Sequence, residues 1–384
     1  MSGPLTGYRI VELAGLGPGP FAAMLLADMG AEVIRVERPQ GVVDGAPANL
    51  DILERGRRNI AIDLKNPEGA EALMKLLDNA DALLEGFRPG VLERLGIGPD
   101  VLMARNPRLV IGRMTGWGQD GPYASAAGHD INYIALAGAL GQLRREGEAP
   151  SFPNNLLGDF GGGGMFLAFG VVCALLERNT SGVGQIVDTA MVDGVSALMA
   201  FFYGLRAIDR HDDTRPGTNM LDSGAPYYNV FETADGRFVT VGTVEVQFYR
   251  EMVQRLGLDG DPDFDKQNDR SKWPVMKRKL TERIKSRTFA EWNAELEMTD
   301  ACYAPILTLV EAFEHPHNKA RNSIIELDGV LQPAPAPRFS RTPGEIASMP
   351  FRVGENTREV LAAWGFDATE IARLESIGAV RQAN

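Results

Sequence analysis

The chain has 384 residues, 44% hydrophobic and 23% charged, a composition that belongs to globular proteins and a length that suggests two domains. Its net charge of −12 argues against a nucleic-acid binder, which needs a broad basic face. Two cysteines, Cys173 and Cys302, exclude a disulfide framework or a cysteine-rich zinc site and are expected as buried, reduced thiols.

MSGPLTGYRIVEL runs straight into an apolar strand pattern, with nothing that reads as a signal or transit peptide, so the chain is expected to be soluble and cytoplasmic. YRIVELAG (8–15), GPGP, FAAMLLADMG and AEVIRVERP read as strand, turn, helix, strand, with Pro20 in the helix's first turn. Further strands are expected at NIAIDL (59–64), ALLEGF (82–87) and LVIGRM (109–114), and PEGAEALMKLLDNA is a helix between two of them. This alternation predicts an α/β fold with a doubly wound parallel sheet. MFLAFGVVCALL (165–176) is too short to span a bilayer and is expected to be a helix buried inside the protein. GQIVDTAMVDGVSALMAFFYGLRA (184–207) reads as a strand and one long apolar helix, and the Asp-, Gly- and Pro-rich 210–226 as a linker. NVFETADGRFVTVGTV is a hairpin turning at Ala-Asp-Gly, followed by helical segments to about Ala312. APAPRFSRTPGE (334–345) is an extended return, and Asp367 and Glu370 stand in capping-box spacing.

GLGPGP after the first strand, with Glu37 about twenty residues on, invites a dinucleotide reading. Pro20 and Phe21 stand where the third glycine is needed for close packing, and Arg38 suits a phosphate better than a bare ribose. A generic strand–helix turn is the plainer alternative. Arg35, Arg38, Arg55, Arg57, Arg58, Lys65, Arg88 and Arg94 gather in the first third, either as scattered surface charge or as a site for a multiply phosphorylated ligand.

Of the four histidines, His129 lies in GHDINY with no metal-ligand partner at suitable spacing. It is either a loop-tying residue or a base. Asp159, in NNLLGDFGGGG, reads as a helix N-cap. Four glycines are costly at a helix start unless something must approach the backbone, such as an oxyanion meeting free amides. Glu245 closes a hairpin strand and can orient an imidazole if the second domain folds over the first.

Together, GPLTGYRIVELAGLGPGPFAAMLLADMGAEVIRVERP, IDLK, FRPGVLERLG, MTGWGQDGPYASAAGHDINY, NLLGDFGGGGMFLAFG, GAPYYNVFETADGRFVTVG and TREVLAAWGFDATEIARL resemble the family III CoA-transferase superfamily, specifically its α-methylacyl-CoA racemase branch. The likeness covers nearly the whole chain. It implies a Rossmann-like large domain with a smaller α+β domain, in an interlocked homodimer. The boundaries would be 1–209 for the CoA-binding large domain, completed by 343–384, a linker over 210–226, a small domain over 227–322 and a return linker over 323–342. The resemblance implies that His129 and Asp159 are the acid/base pair, with Glu245 hydrogen-bonded to His129. It further implies CoA contacts from Arg38, Ile62, Asp63, Leu64, Lys65, Gly86, Phe87, Arg88 and Arg94, and from Gly128, Asp130, Ile131, Asn132 and Tyr133. One departure is GGGG through Gly164 where the family often reads GGGS, which should alter helix-start rigidity more than chemistry.

The implied reaction inverts a 2-methylacyl-CoA α-carbon in lipid metabolism, with no cofactor beyond the CoA of the substrate and with no membrane or nucleic-acid partner. The amides near Asp159 and the glycine run would meet the enolate oxygen. A CoA-transferase using Asp159 as nucleophile, an NAD-dependent dehydrogenase and a silent acyl-CoA-binding protein remain as alternatives.

Overall fold

The computed structural model describes residues 3–45 and 50–384. The chain opens with β1 (Arg9–Leu13), α1 (Pro18–Asp28), β2 (Glu32–Glu37), β3 (Arg57–Ile62), α2 (Pro67–Leu77) and β4 (Ala82–Glu85). Then come α3 (Val91–Arg94), α4 (Pro99–Arg105), β5 (Val110–Thr115), α5 (Asp130–Leu136) and α6 (Ala139–Gln142). A π-helix over Leu156–Gly164 leads into α7 (Met165–Ser181), β6 (Ile186–Ala190), α8 (Met191–Leu198) and α9 (Ala200–Ala207). Next are β7 (Tyr228–Glu232), β8 (Phe238–Gly242), α10 (Val246–Arg255), α11 (Trp273–Ile284), α12 (Phe289–Leu296) and β9 (Tyr303–Pro305). The last third closes with α13 (Leu309–Glu314), α14 (Pro316–Arg321), β10 (Ile324–Leu327), β11 (Val330–Pro333), α15 (Thr357–Ala363), α16 (Ala368–Ser376) and β12 (Val380–Arg381).

Contacts divide the chain into two units. One comprises residues up to Ala137, Pro153–Leu198 and Asn322–Asn384; the other comprises Gly138–Phe152 and Met199–Arg321. The first unit holds a seven-stranded sheet in the order β12-β3-β2-β1-β4-β5-β6. Strands β1 to β6 are mutually parallel, and β12 adds antiparallel to β3. This is the doubly wound α/β architecture that the alternating pattern predicts. Its strands are near-continuous apolar runs because helices cover both faces: ALLE of β4 is buried at every position. The order reverses between β1 and β4, which opens a crevice at their carboxyl ends.

Helix α7 departs from the expectation of full burial. Leu167, Ala168, Val171, Ala174 and Leu175 pack inward. Met165 (49% exposed), Phe169 (68%), Val172 (37%) and Leu176 (69%), at helical spacing, form an uncovered apolar row on this chain. With the π-helix the element runs 26 residues, Leu156–Ser181, which by length and composition alone is enough to cross a bilayer. Cys173 lies on this helix and is exposed rather than buried; both cysteines are free. The single helix expected to follow β6 is broken at Met199 into α8 and α9.

In the second unit, β7, β8 and β9 form an antiparallel sheet, and Gly236 takes the positive φ of 75° that the hairpin turn requires. Strand β9, not expected from the sequence, falls among the helical segments that run to about Ala312. Trp292, fully buried, donates its indole N–H to the Ile284 carbonyl at 2.7 Å in a core shared with Trp273 and Tyr227. The 210–226 stretch is irregular but tied: Asp222 accepts from the amides of Gly217 (2.8 Å) and Asn219 (2.7 Å). Back in the first unit, the expected return linker contains the β10–β11 hairpin, and Asp367 caps α16 through the Glu370 amide at 2.8 Å.

Candidate active site

A cavity of about 310 Å³ lies at the carboxyl ends of β1, β4 and β5, where ligands of doubly wound sheets bind. Its walls include Gly15–Gly19, Gly86–Arg88, Trp117, Gly128, His129, Tyr133 and Asp159. The two candidate bases, thirty residues apart in sequence, therefore share one wall-to-wall space within the first unit.

His129 is the N-cap residue of α5 and is solvent-exposed; its amide donates to Asn132 Oδ1 at 3.0 Å, so Asn132 fixes the backbone that carries the imidazole. Tyr133 is buried beneath, edge-on to Trp117 with ring centroids 4.7 Å apart. Burial, then the nearby Asp159 carboxylate, push the Tyr133 phenol up.

Asp159 is not the helix N-cap that its sequence position suggests; it lies inside the π-helix. Its Oδ2 accepts from Asn155 Nδ2 at 3.1 Å. Burial raises its pKa above the usual carboxylate range, and the charge of Asp130 adds to this; the Asn155 hydrogen bond and His129 oppose it. Asn155 escaped the sequence reading, although a position four residues upstream on one helix face was its signal.

The four glycines serve packing rather than an exposed amide nest. A Cβ on Gly162 would come within 2.7 Å of the Val195 backbone nitrogen, and one on Gly194 within 1.8 Å of the Gly162 carbonyl oxygen. At Gly164, where the family often has serine, a Cβ would lie 2.7 Å from both Phe21 Cδ1 and the Pro18 oxygen. The wide π-helix is thus pressed against α8 and α1 with backbone touching backbone. The amides nearest the base are also taken: Gly158 and Asp159 donate to Asp130 Oδ2 at 2.6 and 2.7 Å. They are not free for a substrate oxygen. On the facing side, Gly17 opens α1 with φ 67°, and a Cβ there would sit 2.9 Å from Asp159 Oδ2.

The basic cluster separates into two groups. Arg35 and Arg57 both donate to buried Glu12 (2.7 and 2.6 Å), Arg55 pairs with buried Asp28 at 2.6 Å, and Arg58 pairs with Glu32. These four are structural. Arg38, Lys65, Arg88 and Arg94 are exposed, and no ion pair engages them among the described residues. Only Arg88 of these lines the cavity. Its turn is held from below: Glu85 accepts from the Phe87 amide at 2.7 Å and from Arg113 at 2.7 Å. Glu37, the supposed ribose acid, accepts instead from Arg35 at 2.9 Å.

The other named positions fall outside the cavity wall. Ile62 is 1% exposed in β3, so its side chain belongs to the core; Asp63 accepts from the Lys65 amide at 3.0 Å, beside partly buried Leu64. The Asp130 side chain is turned into the π-helix, while Ile131 and Asn132 face solvent. Glu245 belongs to the second unit, where it precedes α10, is exposed and makes no side-chain cap.

Comparison with known proteins agrees with this architecture. The model for CoA-transferase family III matches residues 5–357. Human alpha-methylacyl-CoA racemase is 44% identical over 375 residues, 97% of this chain and 96% of that protein. Succinyl-CoA–D-citramalate CoA-transferase of Chloroflexus aurantiacus is 33% identical, with 97% of each chain covered. Among solved structures, a CAIB/BAIF family protein from Brucella suis superposes with a TM-score of 0.82 at 26% identity, covering 95% of this chain and 100% of that one.

Proposed function

This chain belongs to CoA-transferase family III, and from that premise we propose that it is a racemase, inverting the α-carbon of 2-methylacyl-CoA thioesters by two-base proton transfer through an enolate. The observation that carries this reading is a cavity lined by both His129 and Asp159. A transferase has one use for a carboxylate there and no evident use for the histidine.

One base removes the α-proton from one face, the thioester carbonyl takes up the charge as an enolate, and the conjugate acid of the other base returns a proton to the opposite face. The two groups finish with exchanged protonation states and reset through solvent. A carboxyl group held above its usual pKa suits such a double role, because both its forms are accessible nearer neutrality. With the Gly158 and Asp159 amides engaged, the start of α1 is the better source of donors to the enolate. There Gly17 and Gly19 carry N–H groups, whereas Pro18 and Pro20 beside them have none. Arg88 at the cavity and exposed Arg38 would hold CoA phosphates.

Alanine at Arg88 or Arg38 is expected to weaken acyl-CoA binding by ~1–3 kcal/mol each, as for lost charged hydrogen bonds, with little change in stability. Unchanged affinity in both variants, measured by calorimetry, would leave the exposed arginines as plain surface charge.

Glu245 is assigned to hydrogen-bond His129 from the second unit of a partner chain, in an interlocked homodimer. The uncovered apolar row of α7 supports association, since exposed rows of this kind mark interfaces. Sedimentation is expected to show a dimer at all accessible concentrations. A stably folded, concentration-independent monomer would refute it.

The 33% identity to a CoA-transferase supports one second reading, in which Asp159 attacks the thioester and forms a mixed anhydride before CoA passes to another acid. Incubating one enantiomer of a 2-methylacyl-CoA in deuterated water, without acceptor acid, separates the two. Racemisation with α-deuterium incorporation supports the first reading. CoA transfer to an added carboxylate, with no deuterium at the α-carbon, supports the second and excludes the first.

A further inference from the structure

We propose that Asp130 is a positioning residue whose carboxylate, by accepting from the Gly158 and Asp159 amides, sets the separation of His129 and Asp159 and places a negative charge behind the Asp159 carboxyl. The role in proton transfer rests on the racemase reading; the contact itself does not.

Asp130 follows His129 directly and begins α5, so its main chain is continuous with one candidate base. The residue is 7% exposed, and Oδ2 accepts from the Gly158 and Asp159 amides at 2.6 and 2.7 Å, so its hydrogen bonds end on the main chain of the other base. These amides lie in the opening turn of the π-helix, where no earlier turn supplies acceptors. The cap comes from a distant element instead of a neighbouring residue. Gly158 is the other half of the contact: a Cβ there would lie 2.4 Å from Asp130 Oδ2. The Asp of GHD and the Gly of GDF thus form one joint, so two short motifs about thirty residues apart in sequence meet in the fold.

The charge has a second consequence. Asp130 adds to burial in raising the Asp159 pKa. The groups facing Asp159 from the α5 side are His129, Asp130 and Tyr133, and Asn155 donates from its own helix. The cavity wall adds Arg88, together with Glu12 and Glu85, each already paired with an arginine. Asp130 is the member of this set that is bonded directly to the Asp159 main chain.

The test uses the full-length protein carrying ¹³C-labelled aspartate, with the Asp159 signal assigned from Asp159→Asn. In Asp130→Asn, which keeps an acceptor but loses the charge, the Asp159 carboxyl is expected to titrate at lower pH than in the wild type. In Asp130→Ala, protection of the Gly158 and Asp159 amides from hydrogen exchange should fall by ~10-fold or more. Racemisation by that variant should fall by on the order of 10²-fold in kcat with KM nearly unchanged, as expected for a displaced base. An unmoved Asp159 titration in Asp130→Asn, or wild-type amide protection in Asp130→Ala, overturns the proposal. Neither measurement needs substrate, so a wild-type protein that exchanges no α-proton would sink the racemase reading while Asp130 is still decided by the spectra.

Discussion

His129→Ala is expected to slow racemisation of a 2-methylacyl-CoA by ~10²–10⁴-fold, the loss typical of a missing general base. The enantiomer that Asp159 deprotonates should still exchange its α-proton, with retention, because one base and its surroundings are intact. Asp159→Asn should show the complementary pattern, since the amide keeps the shape and can still meet Asn155 but cannot take a proton. Deuterium incorporation, followed separately for each enantiomer, reads both effects. If His129→Ala is nearly silent and Asp159→Asn abolishes CoA exchange with free acids, the transferase mechanism replaces this one.

Asp159→Asn carries a stability prediction of opposite sign. A carboxyl whose folded pKa lies above its unfolded value binds its proton more tightly when folded. Stability is then lost as pH rises from the unfolded pKa through the folded one. The asparagine variant has no such proton to lose, so its stability should fall less over that window and at neutral pH should equal or exceed that of the wild type. A site that is costly to fold and required for turnover is the usual form of the trade between stability and activity. Urea midpoints measured across the acid range would show it, and a wild-type-like slope in Asp159→Asn would contradict the assignment of that pH dependence to Asp159.

Gly194→Ala is expected to be the most destabilising single methyl addition at the site, costing ~3 kcal/mol or more, at the upper end for overpacking. The added carbon would lie 1.8 Å from the Gly162 carbonyl oxygen, and a backbone atom cannot rotate away as a side chain can. Relief requires α8 and the π-helix to separate, which carries Asp159 away from His129, so activity should fall further than stability alone explains. Gly141→Ala is the control, because a Cβ there meets nothing within 4 Å and helix propensity favours alanine. A Gly194→Ala protein melting within ~2 °C of the wild type would show that the two helices do not depend on this approach.

The sequence by itself determined the elements whose signal is local. β1 to β5, α1 and α2 follow from short apolar runs separated by helical stretches and by turn residues, and burial of both sheet faces makes those runs unmistakable. The Gly236 turn and the Asp367 cap were legible for the same reason: each is satisfied by residues two or three positions away. His129 and Asp159 were legible as candidates, being a scarce residue type and an aspartate before an unusual glycine run, and the structure places both on one cavity.

What lay hidden depended on partners distant in the chain. Strand β9 has three residues, too few for a period of two to register, and forms because β8 offers it an edge. Arginines that read as one cluster divide into buried ion pairs with Glu12 and Asp28 and an exposed set that no ion pair engages among the described residues, because charge count says nothing about where a carboxylate folds back. The glycine run read as open space for a ligand, yet its space is filled by α1, well over a hundred residues upstream, and by α8, which follows β6. Only the tertiary structure could decide this, because a missing side chain leaves the same mark in a sequence whether ligand or backbone takes its place.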